Sequence, residues 1–178
     1  PPPPPPPPPP PFFFHPDAAI RDAQESRGLG DVYKRQGVPK GVLLSHGNLI
    51  AAGSNVCVAH KLESTDTGMC VLPIYHINGL CVTVMGTLVS KSGLVMPRRF
   101  SATHFWTQMY KFGCSWFSAV PTLFAYLLND ETTPELNRDR LRFARSASAP
   151  LPPEIHRQFE KRFNIPIIIL ELNNVVVI

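Results

Sequence analysis

The sequence predicts an α/β fold, with a mostly parallel β-sheet carrying helices on both faces. Three observations carry that expectation. From Gly37 onward, short apolar runs alternate with longer stretches whose apolar residues recur at helical spacing. Pro or Gly punctuates the pattern at Pro73, Pro97, Gly113 and Pro121. Strand candidates such as residues 68–73, with Met-Cys-Val-Leu at the centre, are apolar runs set between helices, as suits a sheet covered on both faces.

Each element follows in order. Residues 42–44 form a short strand candidate, and 48–59 a helix opened by a polar residue. Residues 68–73 read as a strand with Met-Cys-Val-Leu at its centre, 79–89 as an apolar helix, and 94–96 as a strand ended by Pro97. Ser101 can cap a helix in which Phe105, Met109 and Phe112 share a face and Gly113 stops the turn. Residues 114–120 form a strand, and 121–128 a helix with Pro in its first turn. Residues 141–145 form a strand. Pro152 and Pro153 open a helix with Ile155, Phe159 and Phe163 on one stripe, and 164–168 form the last strand.

The ends read differently from this middle. Twelve of the 21 prolines lie in the first 16 positions. Such a run forms a polyproline helix without a core, and serves either as a ligand for a proline-binding domain or as nothing more than a translated homopolymer tract. Residues 26–36, Ser-Arg-Gly-Leu-Gly-Asp-Val-Tyr-Lys-Arg-Gln, match one reading frame of a sequencing-library adapter. Residues 1–36 are therefore treated as non-native and disordered, and set aside from fold reasoning. Residues 37–168 remain as the domain, followed by an aberrant, low-complexity tail over 169–178.

The net charge of +4 is spread without a block of like charge, which argues against a nucleic-acid surface. Cys57, Cys70, Cys81 and Cys114 show no metal-site spacing and read as reduced thiols of a cytoplasmic protein. No apolar run reaches the ~20 residues that span a bilayer, and the proline run is no signal peptide.

In an open parallel sheet, ligands gather at the carboxyl ends of the strands. Three segments fall there: 37–41, 73–79 and 146–151. Gly37-Val-Pro-Lys40-Gly41 places a lysine in a glycine-flanked loop, where backbone N–H groups and an ammonium can meet phosphate. Taken alone, a lysine in such a turn is more often a solvated surface residue. His76 in Leu-Pro-Ile-Tyr-His-Ile-Asn-Gly is taken alone more often a structural turn residue. Arg145-Ser-Ala147-Ser148-Ala149-Pro150-Leu is a small-residue turn against which a flat base can lie.

Together, and in this order, these segments resemble the adenylate-forming (AMP-binding) ligase superfamily, in its acyl-CoA synthetase branch. Residues 37–49 resemble the second half of its phosphate-loop motif, with Tyr33-Lys-Arg-Gln36 where the Ser/Thr/Gly-rich first half stands in the family. Residues 72–79 resemble the motif whose His adjoins the acyl pocket. Phe117-Ser-Ala-Val-Pro-Thr-Leu123 resembles the following strand-to-helix segment, and 145–151 the adenine-pocket segment. The resemblance covers 37–168 and implies an incomplete piece of the family's large N-terminal domain. Beyond it, Leu170-Glu171-Leu172 stands where the family has an aromatic-Gly-x-Thr-Glu motif, and no role carries to Glu171.

By resemblance, the parent enzyme joins a carboxylic acid, fatty or aryl, to AMP from ATP, with Mg²⁺ assisting, and passes the acyl group to coenzyme A. The implied catalytic residues are Lys40, facing phosphate, and His76, at the acyl/thiol junction. The implied nucleotide-binding residues are Gly37, Lys40, Gly41, Ala147, Ser148, Ala149 and Pro150. No metal ligand is assigned. The expected location is cytoplasmic, or peroxisomal in a eukaryote, and the sequence as it stands is expected to be inactive. Two alternatives stay open: a fatty-acyl-AMP ligase or peptide-synthetase adenylation domain serving a carrier protein, and a non-catalytic proline-rich interaction protein.

Overall fold

The computed structural model describes residues 44–131 and 140–169. The elements run α1 (His46–His60), β1 (Thr67–Cys70), a π-helical stretch (Asn78–Val84) leading into α2 (Met85–Ser90), β2 (Gly93–Val95), α3 (Ala102–Lys111), β3 (Trp116–Ala119), α4 (Pro121–Asn129), β4 (Phe143–Ser146), α5 (Pro153–Phe163) and β5 (Ile167–Ile169). The strands form one sheet in the order β2-β1-β3-β4-β5, and every neighbouring pair is parallel.

This order reverses direction once. From β1 the chain crosses to β2 at one edge, then returns to β3 on the other side of β1 and continues outward through β4 to β5. The carboxyl ends of β1 and β3 therefore flank a topological switch point, where connections leave toward opposite faces and open a crevice.

Helices cover both faces. On one face α3, α4 and α5 pack Phe105, Trp106, Met109, Phe124, Phe159 and Phe163 onto Met69, Phe117 and Ala144. Rings meet edge-on or tilted, with Phe105–Phe117 centroids at 4.8 Å and Phe124–Phe159 at 4.9 Å. On the other face Val56 of α1 and Val82 of the π-helical stretch cover Trp116 and Phe143. Gly68 is needed there, because a Cβ would lie 2.8 Å from the Trp116 ring.

Several boundaries differ from the sequence expectation. Of the 42–44 strand only Leu44 is described, and it lies outside any element. The first helix starts at His46, two residues early, because Ser45 and Asn48 form a reciprocal capping box. The 79–89 helix begins instead as a π-helix, its two forms meeting at Met85. Ser101 occupies an N-cap position, yet its hydroxyl meets His104 Nδ1 rather than a backbone N–H. Phe112 is not on the buried stripe: it caps α3 and is exposed, because the chain turns at Gly113 with φ of 60°.

Candidate functional site

The loop after β1 carries the residues singled out around His76. Pro73 and His76 close a turn, with His76 N–H donating to the Pro73 carbonyl at 3.0 Å. The chain then doubles back so tightly that a Cβ on Gly79 would lie 2.5 Å from that same carbonyl oxygen. Only glycine fits there, which fixes where the helical stretch begins. Cys70, the last residue of β1, points its thiol at the Leu72 carbonyl, 3.3 Å away. His76 itself is exposed on the bend, its ring against that of Tyr75 at 4.8 Å.

The second segment follows β4. Ala147 is buried, while Ser148 and Pro150 are exposed and Ala149 is half-buried. Ser148 has φ of 75°, in the left-handed region that a serine adopts at a cost. The resulting bend presents backbone and small side chains at the carboxyl end of the sheet.

A hydrogen-bond cluster joins the two segments. Asn78, two residues after His76, donates from Nδ2 to the Ser148 hydroxyl at 3.3 Å. Its Oδ1 accepts from the Ser118 hydroxyl at 3.0 Å and from Arg145 Nη1 at 2.9 Å. Arg145 Nη1 also donates to Ser118 Oγ at 3.1 Å. The sheet register dictates this meeting, since Cys70, Ser118 and Arg145 are lateral partners on three adjacent parallel strands and face the same side. Arg145 is only 2% exposed and Asn78 only 4%. Burial pulls the Arg145 guanidinium down to about 10, leaving it a cation at neutral pH.

The structure thus brings His76 and the 147–150 bend to one end of the sheet. Gly37, Lys40 and Gly41 lie outside the described residues. Sequence reasoning overlooked Asn78, Ser118 and Arg145 as site residues. A signal was present: Arg145 is a charged residue inside an apolar strand, Phe-Ala-Arg-Ser, where both faces are covered.

The sequence profile of the AMP-binding enzyme family matches residues 36–171. This chain belongs to the AMP-binding enzyme family. Among its relatives, it is 52% identical over 133 residues to the sulfoacetate–CoA ligase of Cupriavidus necator, covering 74% of this chain and 26% of that protein. It is 37% identical over 133 residues to the oxalate–CoA ligase of Arabidopsis thaliana, covering 73% of this chain and 26% of that protein. The AMP-binding chain thus spans about a quarter of the length of these curated relatives. Among solved structures, ATP-bound MatB from Rhodopseudomonas palustris superposes with a TM-score of 0.67 at 25% identity, covering 74% of this chain and 26% of that one. The N-terminal domain of FACL13 from Mycobacterium tuberculosis superposes with a TM-score of 0.69 at 23% identity, covering 75% of this chain and 33% of that one, and shows the fold alone. The incomplete parallel sheet expected of an AMP-binding N-terminal domain is therefore what the described residues form.

Proposed function

We propose that the protein carrying this segment is an ATP-dependent acid–CoA ligase whose acid is short and bears a second acidic group. The observation that carries the reading is the Asn78–Ser148 hydrogen bond, which ties the His76 turn to the 147–150 bend at the switch point of a parallel sheet. One side of that junction is suited to an acyl group and the other to adenine. The two acids named in the relatives, sulfoacetate and oxalate, each carry two acid functions, and they favour such a substrate over a fatty or aryl acid. Because these relatives are CoA ligases, coenzyme A is the proposed thiol rather than a carrier protein.

In this reading a carboxylate oxygen of the acid attacks the α-phosphorus of ATP and pyrophosphate leaves. The thiolate of coenzyme A then attacks the acyl carbon and AMP leaves. Ala147, Ser148, Ala149 and Pro150 hold the adenine plane against backbone. His76 borders the acyl carbon and the path of the thiol, while Lys40, with Gly37 and Gly41, meets the phosphates. Such chemistry depends on positioning and on stabilising charge at phosphorus, and fixed donors on a rigid sheet end supply both. Among the described residues, no group of three His, Cys, Asp or Glu side chains is placed to hold a metal ion. No described helix is long and apolar enough to cross a membrane.

The test is to sequence the source gene across both ends of this segment, express the full reading frame, and look by mass spectrometry for CoA thioesters of sulfoacetate and oxalate. Thioester formation that requires ATP and releases AMP supports the reading. Release of ADP and phosphate instead, or no thioester from any acid, contradicts it.

A further inference from the structure

Arg145 is an anomaly that the fold alone does not explain. It is buried on the face shared by β1, β3 and β4, yet among the described residues no carboxylate pairs with it. The buried Asp66 is committed to Arg142, and Glu154 and Glu160 engage Arg157 and His156. Among the described residues, the side-chain hydrogen bonds of Arg145 leave from Nη1 and go to neutral oxygens, those of Asn78 and Ser118. Among the described residues, its Nε is buried without a hydrogen-bond partner.

A buried cation without a counter-charge is an unfavourable arrangement that proteins resolve with an anion or a ligand. The geometry around Arg145 looks prepared for one. Asn78 and Ser118 hold Nη1 in place, so the Nε edge of the planar fork is left over, and such an edge matches a carboxylate or sulfonate. Its position also agrees. Arg145 sits three residues before Ser148 on one side and is bonded to Asn78, two residues past His76, on the other. An anion on this edge would lie deep beneath the junction of the His76 turn and the 147–150 bend.

We propose that Arg145 is a specificity-determining residue that receives the second acidic group of the substrate, leaving the first carboxylate free to react. The inference rests on the acid–CoA ligase reading and deepens it. A desolvated guanidinium discriminates strongly, because an acid without the second charge leaves it unpaired.

The test uses the enzyme of the full reading frame and compares kcat/KM for sulfoacetate and oxalate with that for acetate and butyrate. In the unaltered enzyme the diacids are preferred. In Arg145→Gln the preference falls about 10- to 100-fold, the worth of a charge-assisted hydrogen bond, and the loss appears in KM for the diacids. Arg145→Lys restores part of the preference. Asn78→Asp is the second variant: it sets a carboxylate beside the guanidinium, satisfies the charge internally, and lowers the preference without removing Arg145, so it decides the matter if Arg145→Gln fails to fold. An enzyme that adenylates monocarboxylic acids in preference to diacids overturns the role of Arg145 and leaves the ligase reading standing. So does a preference unchanged in Arg145→Gln or in Asn78→Asp. An enzyme that adenylates no acid overturns both.

Discussion

Asn78 Oδ1 accepts hydrogen bonds from both Arg145 Nη1, at 2.9 Å, and the Ser118 hydroxyl, at 3.0 Å. One amide oxygen thus ties the start of the π-helical stretch to two neighbouring parallel strands. Asn78→Leu removes that acceptor and strands a buried cation with less compensation, at a cost of about 3 kcal/mol. Urea denaturation checks it, and a loss below about 1 kcal/mol would show that the cluster does not brace the sheet.

Acid stability should have two separable parts. The buried His60 donates from Nδ1–H to the Val56 carbonyl at 3.0 Å, and its pKa is lowered, chiefly because burial disfavours the charged ring, an effect that the Val56 bond opposes and that Arg145 and Arg142 add to. Its unfolded form binds the proton more readily, so the stability it confers is full above about pH 6.5 and declines as pH falls below that value. Asp66 behaves alike lower on the scale. Burial pushes its carboxyl up, but Arg142, the Glu63 N–H and the Ser115 hydroxyl together outweigh burial and lower it below its ordinary 3.8. Its contribution is therefore lost only as pH falls below about 4. Melting temperatures of His60→Phe and Asp66→Asn across pH 3–7 should remove the upper and the lower part of the decline in turn.

Ser148 marks stored strain. With φ of 75° it occupies a region that costs a non-glycine residue about 1–2 kcal/mol. Ser148→Gly relieves that strain and gives up the 3.3 Å bond from Asn78, so its stability should change by less than about 1 kcal/mol. A β-branched Ser148→Val should lose about 2 kcal/mol or more. Equal losses for the two variants in chemical denaturation would mean that the bend is not strained.

Phe159 anchors α5. It is fully buried and touches the rings of Trp106, Phe117, Phe124 and Phe163. Phe159→Ala should cost about 3–5 kcal/mol through lost burial and the cavity left behind. Ile155, half-buried on the same stripe, should cost less when replaced by Ala.

The fold was legible in the sequence wherever burial dictated residue type. Phe105, Met109, Phe159 and Phe163 announced helix faces by their spacing, and Trp116 to Ala119 announced a strand covered on both sides. What stayed hidden depends on lateral register. Nothing local in the chain tells that Ser118 and Arg145 are neighbours or that Asn78 reaches both, because their separations of 40 and 67 residues are closed only by the parallel sheet. The π-helical winding of Asn78–Val84 was hidden too, since an apolar run at this length reads equally as an α-helix. Phe112 misled because its spacing continued the stripe of α3 beyond the residue where the helix ends.

Acid-dependent exchange of labelled pyrophosphate into ATP, catalysed by the protein of the full reading frame, tests the central claim most directly. The account predicts exchange that requires a carboxylic acid and is fastest with sulfoacetate or oxalate. Absence of exchange with every carboxylic acid supplied, in a protein shown to be folded, would contradict it.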